Sequence, residues 1–98
     1  MGIQPDILVC RSEHPLDQGI KDKIALFCNV PSDHVLQNLD VEYLYEAPLA
    51  MEEEHLASVV CECLKLDCPE PDLKDWKEMV ECLKHPTQDV TVALVGKY

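Results

Sequence analysis

Glycine is scarce in this chain, with three in 98 residues. None stands in a G-x-x-x-x-G-K-[ST] or G-x-G-x-x-G pattern, so the chain lacks the two common glycine-rich cradles for phosphate. Gly96-Lys97 follows an apolar run but has neither the earlier glycine nor the Ser or Thr of a phosphate loop. Basic residues are also few. Eight Lys and Arg face nineteen Asp and Glu, for a formal net charge of -11. Phosphate backbones are repelled by such a charge, which argues against DNA or RNA as partners. A small nucleotide held by one or two local cations is still compatible with it. No apolar run reaches the roughly 18 residues of a membrane span. Met1 to Asp6 lacks the basic and apolar regions of a secretory signal, and Asp6 stands where myristoylation needs Ser or Thr. The expectation is a cytoplasmic chain with no membrane partner.

Six cysteines are present, at 10, 28, 61, 63, 68 and 82. Without a signal peptide, reduced thiols are expected. Cys61, Cys63 and Cys68, with Cys82 and His85 beyond, do not have the C-x2-C spacing of structural zinc. Cys61 and Cys63 are two apart on a helical stretch and point in different directions. No metal site is expected. No cysteine is marked by its surroundings as a nucleophile, and His14, His34, His55 and His85 all read as surface residues.

The hydrophobic fraction of 47% suits one small folded unit. Ile7 to Cys10 is a continuous apolar run, expected as a strand buried on both faces of a parallel sheet. Leu16, Ile20, Ile24 and Phe27 recur at helical spacing, predicting an amphipathic helix over 16–28 that Asn29 ends. Val35-Leu36 reads as a short strand, completing a βαβ unit. Leu39-Asp40-Val41 reads as the loop after it, and Val41 to Tyr45 as a short helix stopped before Pro48. Leu49 to Leu66 is predicted as one helix, with Glu52-Glu53-Glu54 near its start, where the macrodipole favours acids. Asp67 to Pro71 is a connecting segment. A helix follows over 73–84, with Asp72 as N-cap, Asp75 in a near capping box, and Leu73, Trp76, Met79, Val80 and Leu83 on its apolar face. Thr91 to Val95 reads as another strand. The fold class is therefore α/β.

Spacing alone yields no catalytic constellation. Two cations draw notice. Arg11 directly follows the first strand, at the sheet edge where open α/β proteins bind ligands, and an arginine can stack on a base as well as pair with anions. Lys23 lies in the next helix, between charged neighbours.

Several blocks carry a more specific signal: Ile3-Gln4-Pro5-Asp6, Lys23 to Val30 (K-I-A-L-F-C-N-V), Asp40-Val41, Tyr45 with Pro48, Trp76, and Val92 to Tyr98. In that order and at that spacing they resemble the CTP synthases, along essentially the whole chain. The resemblance implies residues 1–66 as the end of a P-loop-type synthetase (amidoligase) domain. It implies 67–90 as an interdomain linker with helix 73–84, and 91–98 as the first strand of a glutaminase domain. It implies a ligase using ATP, Mg2+, UTP and glutamine, inhibited by CTP and assembled as a homotetramer. Lys23 matches the family lysine that binds UTP or CTP. Arg11 matches an arginine beside the adenine of ATP, and Leu39, Asp40 and Val41 match a loop bordering ATP. Ala47 departs from the branched apolar residue more usual there. No residue matches a catalytic group or a metal ligand, so the chain alone is expected to be inactive. The alternative reading from the residues is a free-standing acidic α/β module that binds a protein partner through its last helix.

Overall fold

The computed structural model describes residues 2–97. Two parallel strands, β1 (Leu8–Ser12) and β2 (Val35–Leu39), pair in register from Leu8↔Val35 to Ser12↔Leu39. Helix α1 (Gln18–Cys28) makes the crossover between them. Then follow α2 (Ala47–Glu53), α3 (Leu56–Leu64) and α4 (Lys74–Lys84). The α/β class and the βαβ unit are as the sequence predicted. The chain is extended, with a radius of gyration of 18.1 Å, where a compact unit of this length has about 13 Å. A small core follows from that shape. Ala25, Val30 and Val35 form it, with Leu8, Cys10, Ile24 and Cys28 packed around them.

The ends of α1 are chemically defined. Asp17 Oδ1 accepts the Ile20 N–H at 2.8 Å, an N-cap. Asn29 adopts the left-handed conformation (φ 54°), ending the helix as predicted. The Val30 N–H returns to the Ala25 carbonyl at 3.0 Å. The Gln4 amide donates to the Cys28 and Asn29 carbonyls at 2.6 and 3.2 Å, satisfying groups that the helix end leaves open.

Several expectations need correction. The inward stripe of α1 is Lys21, Ile24, Ala25 and Cys28 rather than Leu16, Ile20, Ile24 and Phe27. Phe27 is 87% exposed, because the two-stranded sheet covers only one narrow side of the helix. Likewise β1 is not covered on both faces: Leu8, Cys10 and Ser12 are partly buried, while Val9 and Arg11 lie open. β2 alone is covered on both sides, with Val35 and Leu36 buried. The strand also reaches further than predicted and includes Leu39.

Pro48 does not stop a helix. It sits in the first turn of α2, where a missing N–H costs nothing. The short helix expected over 41–45 is one 3-10 turn at Leu44–Glu46. The predicted helix 49–66 is broken at His55, which is left-handed (φ 58°). Glu52-Glu53-Glu54 therefore falls at the C-terminal end of α2, where the helix dipole opposes acids. Glu54 is stabilised otherwise. It accepts from Lys21 Nζ at 3.0 Å, from the Gln37 N–H at 3.0 Å and from Gln37 Nε2 at 3.0 Å. Gln37 Oε1 in turn accepts the Leu16 N–H at 3.0 Å. This polar node joins α1, β2 and α2.

Helix α4 begins at Lys74, one residue inside the predicted span, so its N-cap is Leu73, which has no capping oxygen, rather than Asp72. Asp72 Oδ1 accepts the Lys74 N–H at 3.1 Å from one residue further out. Val80 is buried, as its place on the apolar face requires, but Met79 and Leu83 are exposed. Thr91 to Val95 forms no strand. Val92, Leu94 and Val95 are almost fully exposed, and no neighbouring strand among the described residues offers its backbone a ladder.

Candidate functional site

The carboxyl ends of β1 and β2 lie side by side, and the chain leaving β2 turns away there. This leaves a groove of about 470 Å³ beside them. Its walls include Arg11 from β1, Asn38 and Leu39 from β2, and Asp40, Val41 and Leu44 from the turn that follows. Glu42 and Ala47 complete it. Arg11, Leu39, Asp40 and Val41, the four residues singled out in the sequence for one nucleotide, thus share one groove.

Arg11 is within β1, not after it, because the strand runs on to Ser12. The parallel register places it opposite Asn38, and this pairing holds its side chain. Nη1 donates to the Asn38 carbonyl at 3.1 Å and to the Ser12 carbonyl at 3.3 Å, while Nη2 pairs with the Asp40 carboxylate. Both members of that ion pair are more than half exposed, so it orients the guanidinium more than it stabilises the fold. A planar cation fixed at three points beside apolar Leu39, Val41 and Leu44 suits the flat face of a base. The carboxylates of Asp40 and Glu42 are unsuited to phosphate.

The outer wall of the groove is the 3-10 turn. Here the Glu46 N–H donates to the Tyr43 carbonyl at 2.9 Å and the Tyr43 N–H to Glu46 Oε2 at 3.2 Å. The Lys84 ammonium, bound to Glu46 Oε1 at 2.5 Å, holds the Glu46 carboxyl below the usual carboxylate range, helped by the Tyr43 N–H.

Lys23 is not part of this groove. It lies exposed on α1, and its side chain makes no hydrogen bond or ion pair among the described residues. Lys21, two residues earlier, points inward to Glu54. A second cleft, of about 270 Å³, opens by Lys21 but is rimmed by Asp33, Glu53 and Glu54, which would repel a phosphate.

The remaining reactive side chains do not assemble a nucleophile. Cys63 Sγ is 3.8 Å from His34 Nδ1, but that nitrogen is also 2.9 Å from the Asp6 carbonyl. A proton on Nδ1 serves that carbonyl, so the nitrogen is then no base for the thiol. Burial also pushes the Cys63 thiol up, which disfavours the thiolate. Cys61 and Cys68 face one another, and burial of Cys61 followed by this contact pushes its thiol up too. No group of three or more His, Cys, Asp or Glu placed to hold a metal ion occurs among the described residues. No described helix is long and apolar enough to cross a membrane.

Residues 1–66 match the family model described as the CTP synthase N-terminus. The chain belongs to the CTP synthase family. Over all 98 residues it is 57% identical to the CTP synthase of Ruminiclostridium cellulolyticum, 52% to that of Symbiobacterium thermophilum and 51% to that of a Synechococcus strain. It covers 100% of its own length in each of these matches and 18% of each relative. The chain thus corresponds to less than a fifth of a CTP synthase.

The sequence had not pointed to Asn38, Leu44 or the Lys21–Glu54–Gln37 node. Leu44 lay beside the Tyr45 and Pro48 block that carried the resemblance, which was the one available signal. Nothing in the sequence paired residue 21 with residue 54.

Proposed function

We propose that this chain supplies the adenine-side wall of the ATP site, and one cation of the UTP/CTP site, in a glutamine-hydrolysing CTP synthase. Arg11, Leu39, Asp40 and Val41 contact ATP. Lys23 contacts the triphosphate of UTP, or of CTP as inhibitor. Residues 1–66 are the end of the synthetase domain, 67–90 the linker and 91–98 the segment that becomes the first strand of the glutaminase domain once the rest of that domain supplies its ladder. The whole enzyme is a cytoplasmic homotetramer that works with Mg2+. It transfers a phosphoryl group from ATP to the 4-oxygen of UTP, and ammonia from glutamine then displaces that phosphate to give CTP. The alternative of a free-standing interaction module is not favoured, since the family match extends along the whole chain.

The observation that carries this reading is the convergence of Arg11, Leu39, Asp40 and Val41 on one groove. What the chain contributes is positioning. Arg11 and the apolar wall bind a flat base, and Lys23 offers a point charge suited to phosphate. The donor set does not fit Mg2+, because Asp40 is engaged by Arg11 and no three-ligand group exists among the described residues. No step is assigned to a metal held here.

The test replaces the matching 98 residues of the R. cellulolyticum CTP synthase with this chain. The chimera should make CTP. Arg11→Ala should raise the KM for ATP several-fold. Lys23→Ala should raise the KM for UTP and weaken CTP inhibition together, by roughly ten- to a hundredfold, the worth of one charge-assisted contact. An inactive chimera, or variants with unchanged kinetics toward these nucleotides, would overturn the assignment.

A further inference from the structure

The turn that walls the groove is grasped from its far side by α4. Trp76 Nε1–H donates to the Tyr45 carbonyl at 2.7 Å, and the two rings meet edge to face with centroids 5.9 Å apart. Near the other end of the helix, Lys84 Nζ binds Glu46 Oε1 at 2.5 Å. These holding points are eight residues apart on α4, roughly 12 Å along its axis. Two adjacent residues of one three-residue turn therefore bind both ends of the helix, while Leu44 and Ala47 on either side of them line the groove. Position 76 of α4 and the groove wall are separated by a single peptide unit.

We infer that Trp76 is a positioning residue for the nucleotide groove: through the Tyr45 carbonyl it fixes the 44–46 wall, so that base binding and the seating of α4 are linked. This rests on the reading of the groove as the adenine site. The physical reason is the shortness of the turn. Apart from α4, it is closed by three bonds: the Glu46 N–H to the Tyr43 carbonyl, the Ala47 N–H to the Leu44 carbonyl and the Tyr43 N–H to the Glu46 carboxylate. A turn closed by so few bonds samples other shapes unless something outside holds it. If Trp76 releases it, a nucleotide must order the wall on binding and loses affinity by that amount. Linkage makes the relation reciprocal: an occupied groove holds the turn, and the turn holds α4. The linker proposed for 67–90 would thereby sense whether the base is in place.

The experiment uses the active chimera. Trp76→Phe keeps an aromatic ring against Tyr45 but deletes the N–H donor, so it spares most of the packing. Its KM for ATP should rise about two- to tenfold, the value of one hydrogen bond. The kcat at saturating ATP and the KM for UTP should stay within about twofold, which separates loss of uniform binding from damage to the chemistry. Lys84→Met, at the other holding point, should shift the KM for ATP in the same direction. Arg11→Ala serves as the reference. If it raises the KM for ATP while Trp76→Phe and Lys84→Met do not, the positioning role falls and the adenine groove stands. If Arg11→Ala is also without effect, the groove reading falls and takes this inference with it. If Trp76→Phe lowers kcat and raises both nucleotide KM values together with a lower Tm, Trp76 is a general structural residue and the inference is overturned.

Discussion

Glu54→Gln is the perturbation that most directly probes what holds this fold together. Glu54 and Lys21 are only 18% and 16% exposed at their side chains, so the pair is screened far less than a surface ion pair. In the wild type, Glu54 accepts three hydrogen bonds, from Lys21 Nζ, the Gln37 N–H and the Gln37 side chain. A glutamine offers one acceptor oxygen and turns its amide nitrogen toward existing donors. At least one charge-assisted bond disappears and Lys21 is left half-buried without its counter-charge. Charge-assisted bonds are worth about 1.5–3 kcal/mol each, and an orphaned partner adds its desolvation, so a loss of ~2–4 kcal/mol is expected. That is a large part of what a small core can supply. The net charge changes from -11 to -10. If general repulsion between acids dominated stability, the substitution would stabilise the chain. The two accounts thus predict opposite signs. Urea unfolding of the 98-residue chain, followed by circular dichroism at neutral pH, distinguishes them. The pH dependence gives a second check. Burial raises the Glu54 carboxyl, but the Gln37 N–H, Lys21 and the Gln37 side chain outweigh it, and the net shift is downward from 4.5. The unfolded state therefore binds the proton more readily than the folded one. Stability from this group is fully present above about pH 4.5 and is lost as pH falls through the lower folded value. The Glu54→Gln chain should lack this acid-side component. Equal or greater stability of the variant at neutral pH, or an unchanged acid limb, would refute the reasoning.

Other outcomes follow from the same geometry. The exposed Leu26, Phe27, Val92, Leu94 and Val95 should drive the isolated chain to associate as salt screens its charge, and light scattering across a salt series reads this. A monomer at every salt concentration would contradict it. The isolated chain should neither make CTP nor hydrolyse glutamine, which radiolabelled substrates would show. Protein purified without chelator should contain no equimolar zinc by metal analysis, since no three-ligand group exists among the described residues. Cys63, partly buried and with its thiol pushed up by burial, should alkylate more slowly than exposed Cys82 at pH 8, as peptide mass mapping would measure.

Local chemistry made much of this architecture legible. Asn29 before Pro31 ended α1 because a short polar side chain tolerates a left-handed backbone and proline cannot continue a helix. The apolar pair Val35-Leu36, bounded by polar residues, marked the position of β2, and both residues are buried there. Family membership was legible in separate blocks such as K-I-A-L-F-C-N-V. Tertiary structure decided what depends on distant partners. Helical spacing shows which residues share a face, but only the position of the sheet chose Lys21, Ile24, Ala25 and Cys28 as the inner one. Composition marked Glu52-Glu53-Glu54 as acidic; the break at His55 is what turned Glu54 toward Lys21 and Gln37. An apolar run such as Thr91 to Val95 has strand propensity, yet a strand exists only when another backbone completes its hydrogen bonds, and here none of the described residues does. The groove was decided in the same way. Arg11 and Asp40 are far apart in the chain, and it is the parallel register of β1 on β2 that brings the cation across to the carboxylate and leaves both at the strand ends.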